Sequence, residues 1–285
     1  MPTACVAHVG SAAWERLPEA LRLLRGQFGR VPVYPAGDPG DAEALAAELA
    51  PEVDVLLVFG GDGTVHEVAN GLPLGGDGPL VALLPAGTGN DLARAIGMPP
   101  DPVAAATELA GARARPRSLD LLDCGSRRAA NGINAGFAAA ATDVLSRRVK
   151  KALGPAAYLV GGIRAGIDPP TWPARVEADG RVVEGEALAV VVGNGGSFGG
   201  GRWLLPDADV GDGLLDVLVV PAAVSKARLA RHLAMDNRLP RDLPRLRGPE
   251  VTVVTEMPCR LDGEPAPTPG SVTVLPAAWQ VLAPG

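Results

Sequence analysis

The chain has 285 residues, 47% of them hydrophobic, enough for a sizeable core and, by length, for two modest domains. A net charge of −6 excludes the broad basic face of a nucleic-acid coat protein. No apolar run approaches the roughly 18 residues of a membrane span.

With 37 Gly and 28 Pro against only 4% aromatics, the apolar mass is Ala, Val and Leu between frequent turns, the profile of a globular enzyme. Met1 to Gly10 lacks the charged start and apolar stretch of a signal peptide, so a cytoplasmic location is expected. Cys5, Cys124 and Cys259 are odd in number and far apart, and neither they nor His8, His66 and His232 show metal-ligand spacing. They read as buried reduced thiols, with no zinc site.

The first part alternates short apolar runs with helix-like stretches: Thr3 to Val9, Trp14 to Phe28, Val31 to Tyr34 and Asp41 to Leu49. Pro51 to Phe59 is continuously apolar, as expected of a central parallel strand covered on both faces. It ends in a glycine-rich turn followed by a helix over Val65 to Asn70. Leu80 to Leu84 repeats the arrangement, and Asp91 to Ile96 reads as a short helix stopped by Gly97 and Pro99.

Beyond about Ser118 the texture changes to short strands: Leu119 to Cys124, Ala174 to Ala178, Arg181 to Val183, Leu188 to Val192, Leu214 to Val220, Val251 to Val254 and Val272 to Leu275. Ala178-Asp-Gly180 is a hairpin signal. One helical stretch, about Ala138 to Gly166, interrupts this half and carries Arg147, Arg148, Lys150 and Lys151 before an apolar run. Arg113, Arg115 and Arg117 read as a solvated linker.

Gly60-Gly61-Asp62-Gly63-Thr64 lies where a strand ends and a helix begins, which is a phosphate-binding position. Glycines let the backbone approach a polyanion, and the helix start offers free amides and a favourable dipole. Those amides belong to the loop and to Val65 and His66. Asp62 beside phosphates makes sense with Mg²⁺ between them. The loop Pro85 to Asp91 ends the neighbouring strand; there Gly87 allows close approach and Thr88 can donate its hydroxyl. Asp91 either supports the metal or caps the helix it begins.

GGDGTVHEVANGL followed by LLPAGTGNDLARAIGMP resembles the diacylglycerol kinase catalytic family, which includes bacterial lipid kinases and sphingosine kinases. The resemblance continues through RRVKKALGPAAYLVGGIRA, VGNGGSFGGGRWLLPDADVGDGLLDVLVV and Leu261-Asp-Gly-Glu264. It implies a Rossmann-like α/β nucleotide-binding domain and a β-sandwich domain with the chemistry in the cleft between them. The expected boundaries are 1–118 and 119–275, with a strand at about 276–285 returning to the first domain.

The resemblance further implies ATP and Mg²⁺, a lipid acceptor met at a membrane surface, and Glu264 as general base. It implies a second, structural Mg²⁺ held by the side chains of Asp209 and Asp212 and the carbonyl of Leu214. Diacylglycerol is the first acceptor to consider. An NAD kinase-like enzyme, which shares the GGDGT-type loop, and a non-catalytic lipid-binding protein are the alternatives. The basic group at 147–151 is either a peripheral membrane contact or a solvated face, and a homodimer is also open. The stretch Val6 to Ala13 departs from the family, which opens with a strand ending in Asn-Pro; His8 or Ser11 is available to stand in. A second departure is Val33, where bacterial relatives often carry Thr.

Overall fold

A computed structural model describes residues 1–75, 77–137, 139 and 169–285; the basic group Arg147 to Lys151 and almost all of the helix expected over 138–166 lie outside these residues. The chain divides into two compact units, one of Met1–Leu121, Val210–Gly213 and Leu275–Gly285, the other of Leu122–Asp209 and Leu214–Val274.

The first unit is a β/α alternation: β1 (Thr3–His8), α1 (Leu17–Phe28), β2 (Val33–Ala36), α2 (Asp41–Leu49), β3 (Val55–Gly60), α3 (Asp62–Gly71), β4 (Leu80–Pro85), α4 (Asp91–Ala95), α5 (Pro102–Leu109) and most of β5 (Arg115–Asp123). Strands β2, β1, β3 and β4 lie side by side in that order, all parallel. Every residue of β3 is buried, which explains why it reads as an unbroken apolar run. Leu17, Ala20, Leu24 and Phe28 of α1 are buried, a stripe at helical spacing. Right-handed crossovers put α1 on one face and α2 and α3 on the other, in accord with the pairing of α1 with α5 and of α2 with α3. The connections leave in opposite directions from β1 and β3, which makes the edge beyond these strands the place where an open α/β sheet takes its ligand.

Two helices escape the sequence reading. Asp101 caps α5, accepting from the amides of Val103 and Ala104 ahead of Pro102 in the first turn. Arg115 and Arg117 belong to β5 rather than to a linker. The second omission lies in the other unit.

That unit contains β6 (Arg128–Ala129), β7 (Gly132–Gly136), β8 (Trp172–Ala178), β9 (Arg181–Gly193), β10 (Ser197–Phe198), β11 (Arg202–Trp203), β12 (Leu215–Pro221), α6 (Lys226–Met235), β13 (Arg245–Gly248), β14 (Glu250–Thr255), β15 (Cys259–Leu261), β16 (Glu264–Ala266) and the start of β17 (Ser271–Ala283). Helix α6 begins at Ser225, whose hydroxyl accepts from the Arg228 amide. The long β9 pairs with β8 over its first half and with β7 and β12 over its second.

Side chains of β9 and β12 alternate between two cores. Val190, Val192, Val217 and Val219 join one with Ile133, Ala135, Val176 and Val251; Leu188, Val191, Leu218 and Val220 join the other with Phe198, Leu229 and Leu239. These strands are therefore covered on both faces, the second by α6. The hairpin expected at Ala178-Asp-Gly180 is present, with Asp179 at φ 48° and Gly180 at φ 70°, the left-handed pair that a two-residue turn requires. The chain returns through β17, which pairs with β14 at Ser271 to Thr273 and then with β4 at Val281. Among the described residues no helix is long and apolar enough to cross a membrane.

Candidate functional site

Three loops in the first unit, following β1, β3 and β4, are stitched together. The Ser11 hydroxyl donates to the Ala86 carbonyl at 2.6 Å, and the Ala86 amide donates to the Gly60 carbonyl at 2.8 Å. Gly61 and Gly87 approach so closely that a Cβ on Gly87 would lie 2.5 Å from the Gly61 Cα, so neither loop tolerates a side chain there. Gly61, Gly63, Gly87 and Gly89 leave a bare backbone surface at the start of the ten-residue α3, where free amides and the helix dipole favour a polyanion.

Asp62 has a different first partner from the metal. Its carboxylate accepts from the amides of Asn90 at 2.8 Å and Asp91 at 2.6 Å, so it caps α4 from the neighbouring loop. Asn90, held left-handed at φ 53°, exchanges bonds with the amide and carbonyl of Gly87. Asp91 is not the cap of its helix; it follows Asn90 and is buried. Both carboxylates face Gly89: a Cβ there would collide with Asp62 Oδ2 and come within 3.6 Å of Asp91 Oδ2. Two hard oxygen donors converging beside a phosphate-type surface fit a small divalent cation.

Thr64, Val65 and His66 are buried, with Thr64 beneath Gly60; the Val65 amide donates to the Gly61 carbonyl at 3.1 Å, so, contrary to expectation, it is not one of the free amides, which belong to the residues before it. Thr88 is exposed at the loop tip. His8 folds over Gly10, leaving Ser11 as the first-loop residue that reaches its neighbour.

Asp120, which the sequence reading passed over, is 2% exposed. Its carboxylate accepts from the Gly213 amide at 2.7 Å and the Ala277 amide at 2.8 Å, and its own amide donates to the Val210 carbonyl. The signal was an acid inside the apolar run Leu119 to Leu122. Asp120 fixes the turn that carries Asp212 and Gly213, while Asp209 and Asp212 themselves are exposed. Among the described residues no group of three or more His, Cys, Asp or Glu side chains is arranged to hold a metal.

In the second unit Glu264 opens β16 immediately after a tight turn, Asp262 at φ 48° and Gly263 at φ 96°. The Asp262 carboxylate accepts three amides, from Ala130 at 2.7 Å, Asn131 at 2.9 Å and Gly132 at 2.9 Å. Arg260 donates to the Gly263 carbonyl at 2.7 Å. The turn is thus clamped from both sides, and the Glu264 side chain projects from it exposed.

Beneath it, Asn131 donates to the Ser197 carbonyl and Asn194 to the Ala130 carbonyl, which ties the GNGGS stretch to the same support. Beside these elements lies a cavity of about 110 Å³ lined chiefly by Leu188, Val191, Phe198, Val220, Leu229 and Leu239. The first unit thus carries two facing carboxylates at a glycine-lined helix start, and the second carries a clamped turn bearing Glu264 and an apolar cavity.

Residues 8–124 match the diacylglycerol kinase catalytic domain and residues 131–283 the YegS C-terminal NAD kinase beta sandwich-like domain. The chain belongs to the diacylglycerol kinase catalytic family of the YegS-like branch. It is 36% identical over 290 residues to a Pseudomonas aeruginosa (strain PAO1) protein named "Probable lipid kinase YegS-like", covering 97% of this chain and 95% of the relative. It is 35% identical to a Pseudomonas putida (strain KT2440) protein of the same name, covering 91% and 87%. A solved diacylglycerol kinase from Bacillus anthracis str. Sterne matches with a TM-score of 0.82 at 25% identity, over 99% of this chain and 96% of that one.

Proposed function

We propose that the protein is an ATP-dependent lipid kinase that transfers the γ-phosphoryl group to a lipid hydroxyl, with diacylglycerol, giving phosphatidic acid, as the first acceptor to assay. The observation that carries this reading is the apolar cavity in the unit that bears Glu264. A kinase whose acceptor is a polar dinucleotide has no use for it, whereas a lipid's chain fills it and leaves the hydroxyl outside.

In this reading the backbone of Gly60 to Thr64 and of Thr88 holds the ATP phosphates at the start of α3, Gly87, whose amide is taken by Asn90, leaves room for them, and Asp62 helps hold the two loops together. Mg²⁺, when bound near Asp62 and Asp91, neutralises phosphate charge. Glu264 accepts the proton of the lipid hydroxyl as its oxygen attacks the γ-phosphorus and ADP leaves. Asp262 and Arg260 hold Glu264 by fixing its turn, and positioning of this kind supplies much of the rate in phosphoryl transfer. Asp209, Asp212 and the Leu214 carbonyl would hold a second ion whose work is structural.

The test is transfer of label from γ-labelled ATP into diacylglycerol in mixed micelles with Mg²⁺, comparing the native chain with Glu264→Ala. Label in phosphatidic acid that disappears in the variant supports acceptor and base together. A folded protein that labels no lipid in a panel of diacylglycerol, monoacylglycerol, ceramide and phosphatidylglycerol sinks the reading.

A further inference from the structure

Strand β7 alternates as a strand with one buried face should: Ile133 and Ala135 point into the sandwich core. Asn134, between them, points the other way and lines the apolar cavity. Register places it opposite Val191 of β9, which stands opposite Leu218 of β12, and both belong to the apolar cluster on that face. A carboxamide therefore stands in a row where the pattern calls for an aliphatic side chain. Its Oδ1 is buried and, among the described residues, has no hydrogen-bond partner. A buried acceptor left in this state is costly to the fold, and a ligand that donates to it removes the cost.

On its other side Asn134 stands opposite Arg260 of β15, the residue that donates to the Gly263 carbonyl one position before Glu264. The cross-strand row runs from the Glu264 turn, through Asn134, to the wall of the cavity. A lipid whose chain occupies the cavity brings the polar groups next to that chain to Asn134, the amide among the cavity's lining residues.

We propose that Asn134 is a specificity-determining residue that accepts a hydrogen bond from those groups. With Oδ1 as the buried atom of the carboxamide, it favours acceptors that carry a donor there, a second free hydroxyl or an amide N–H, over the ester linkages of diacylglycerol, which can pair only with Nδ2 after the carboxamide turns over. The inference rests on the lipid-kinase reading and narrows its substrate class.

The test compares kcat/KM for a monoacylglycerol and a diacylglycerol of equal chain length in the native chain, Asn134→Leu and Asn134→Thr. Loss of one buried hydrogen bond should lower the monoacylglycerol-to-diacylglycerol ratio about tenfold in Asn134→Leu, chiefly through KM, while Asn134→Thr, which keeps an acceptor, retains most of it. Because Leu removes an unsatisfied buried group, Asn134→Leu should melt no lower than the native chain. An unchanged ratio, or a ratio unchanged beside a large drop in melting temperature, overturns the proposal and makes Asn134 structural.

A second readout is independent of turnover: displacement of a fluorescent fatty-acyl probe by unlabelled monoacylglycerol should weaken in Asn134→Leu relative to displacement by a plain alkane chain. If the native chain binds the probe with that selectivity but phosphorylates no lipid, the kinase reading falls and the binding preference stands. If it shows no selectivity, the proposal falls whatever the kinase assay gives.

Discussion

Asp62 carries the most informative chemistry at the scale of single residues, because one carboxylate takes the amides of both Asn90 and Asp91. Removing it as Asp62→Ala leaves the start of α4 uncapped and removes two of the bonds between the two loops, which should lower stability by about 2 kcal/mol and abolish the rise in melting temperature on adding ATP and Mg²⁺. Gly87→Ala separates the two consequences: its Cβ meets the Gly61 backbone rather than a flexible side chain, so nucleotide-dependent stabilisation should be lost although every carboxylate remains.

The thiols make a pH prediction. Burial pushes Cys5 from 9.0 up to about 12 and Cys259 up to about 11, and raises Cys124 as well. The native protein should therefore react negligibly with a thiol reagent at pH 8. Unfolded thiols ionise from about pH 9 while folded ones stay protonated, so their contribution to stability holds below pH 9 and falls as pH rises towards 12. Denaturant unfolding from pH 8 to 11 checks this, and Cys5→Ala should flatten the decline.

Between elements, the same device recurs. Glu67 of α3 accepts the amides of Gly40 and Ala42 at the start of α2 at 3.0 Å and 3.1 Å, as Asp62 does for α4, so one helix caps two others through acids placed five residues apart. Glu67→Ala should cost about 1 kcal/mol, a drop of a few degrees in melting temperature, without changing ATP affinity, in contrast to Asp62→Ala.

The parallel strands were legible because burial on both faces gives β3 its apolar run, and the hairpin at Asp179-Gly180 because only a few residues tolerate its backbone. The glycine loops were legible for the same reason. Helices α5 and α6 were not, although Asp101-Pro102 and Ser225 marked their starts; both are short, and α6 is mostly polar on its exposed side. Asp120 was hidden for a different reason: its partners are 93 and 157 positions away. No local pattern reports a bond that only the assembled chain makes. Asn134 looked like one more polar residue in a Gly- and Asn-rich stretch until the register of β7 showed which face it occupies.

For the molecule as a whole, connectivity matters as much as packing. Val210–Gly213 and Leu275–Gly285 belong with the first unit, although the second unit supplies the chain on either side of the former and before the latter. Asp120 joins both returning segments to β5. Asp120→Ala would leave two part-buried amides without their acceptor and should destabilise the first unit by about 1–3 kcal/mol, measured as a lower melting temperature.

The return of β17 to the open edge of β4 bears also on how the protein is made. The strand that completes the parallel sheet of the first unit leaves the ribosome only after the entire sandwich has been synthesised. The first unit therefore cannot close cotranslationally in the order in which it is encoded, and a nascent chain halted anywhere in the sandwich presents an unpaired β4 edge to chaperones and proteases instead of a finished first unit.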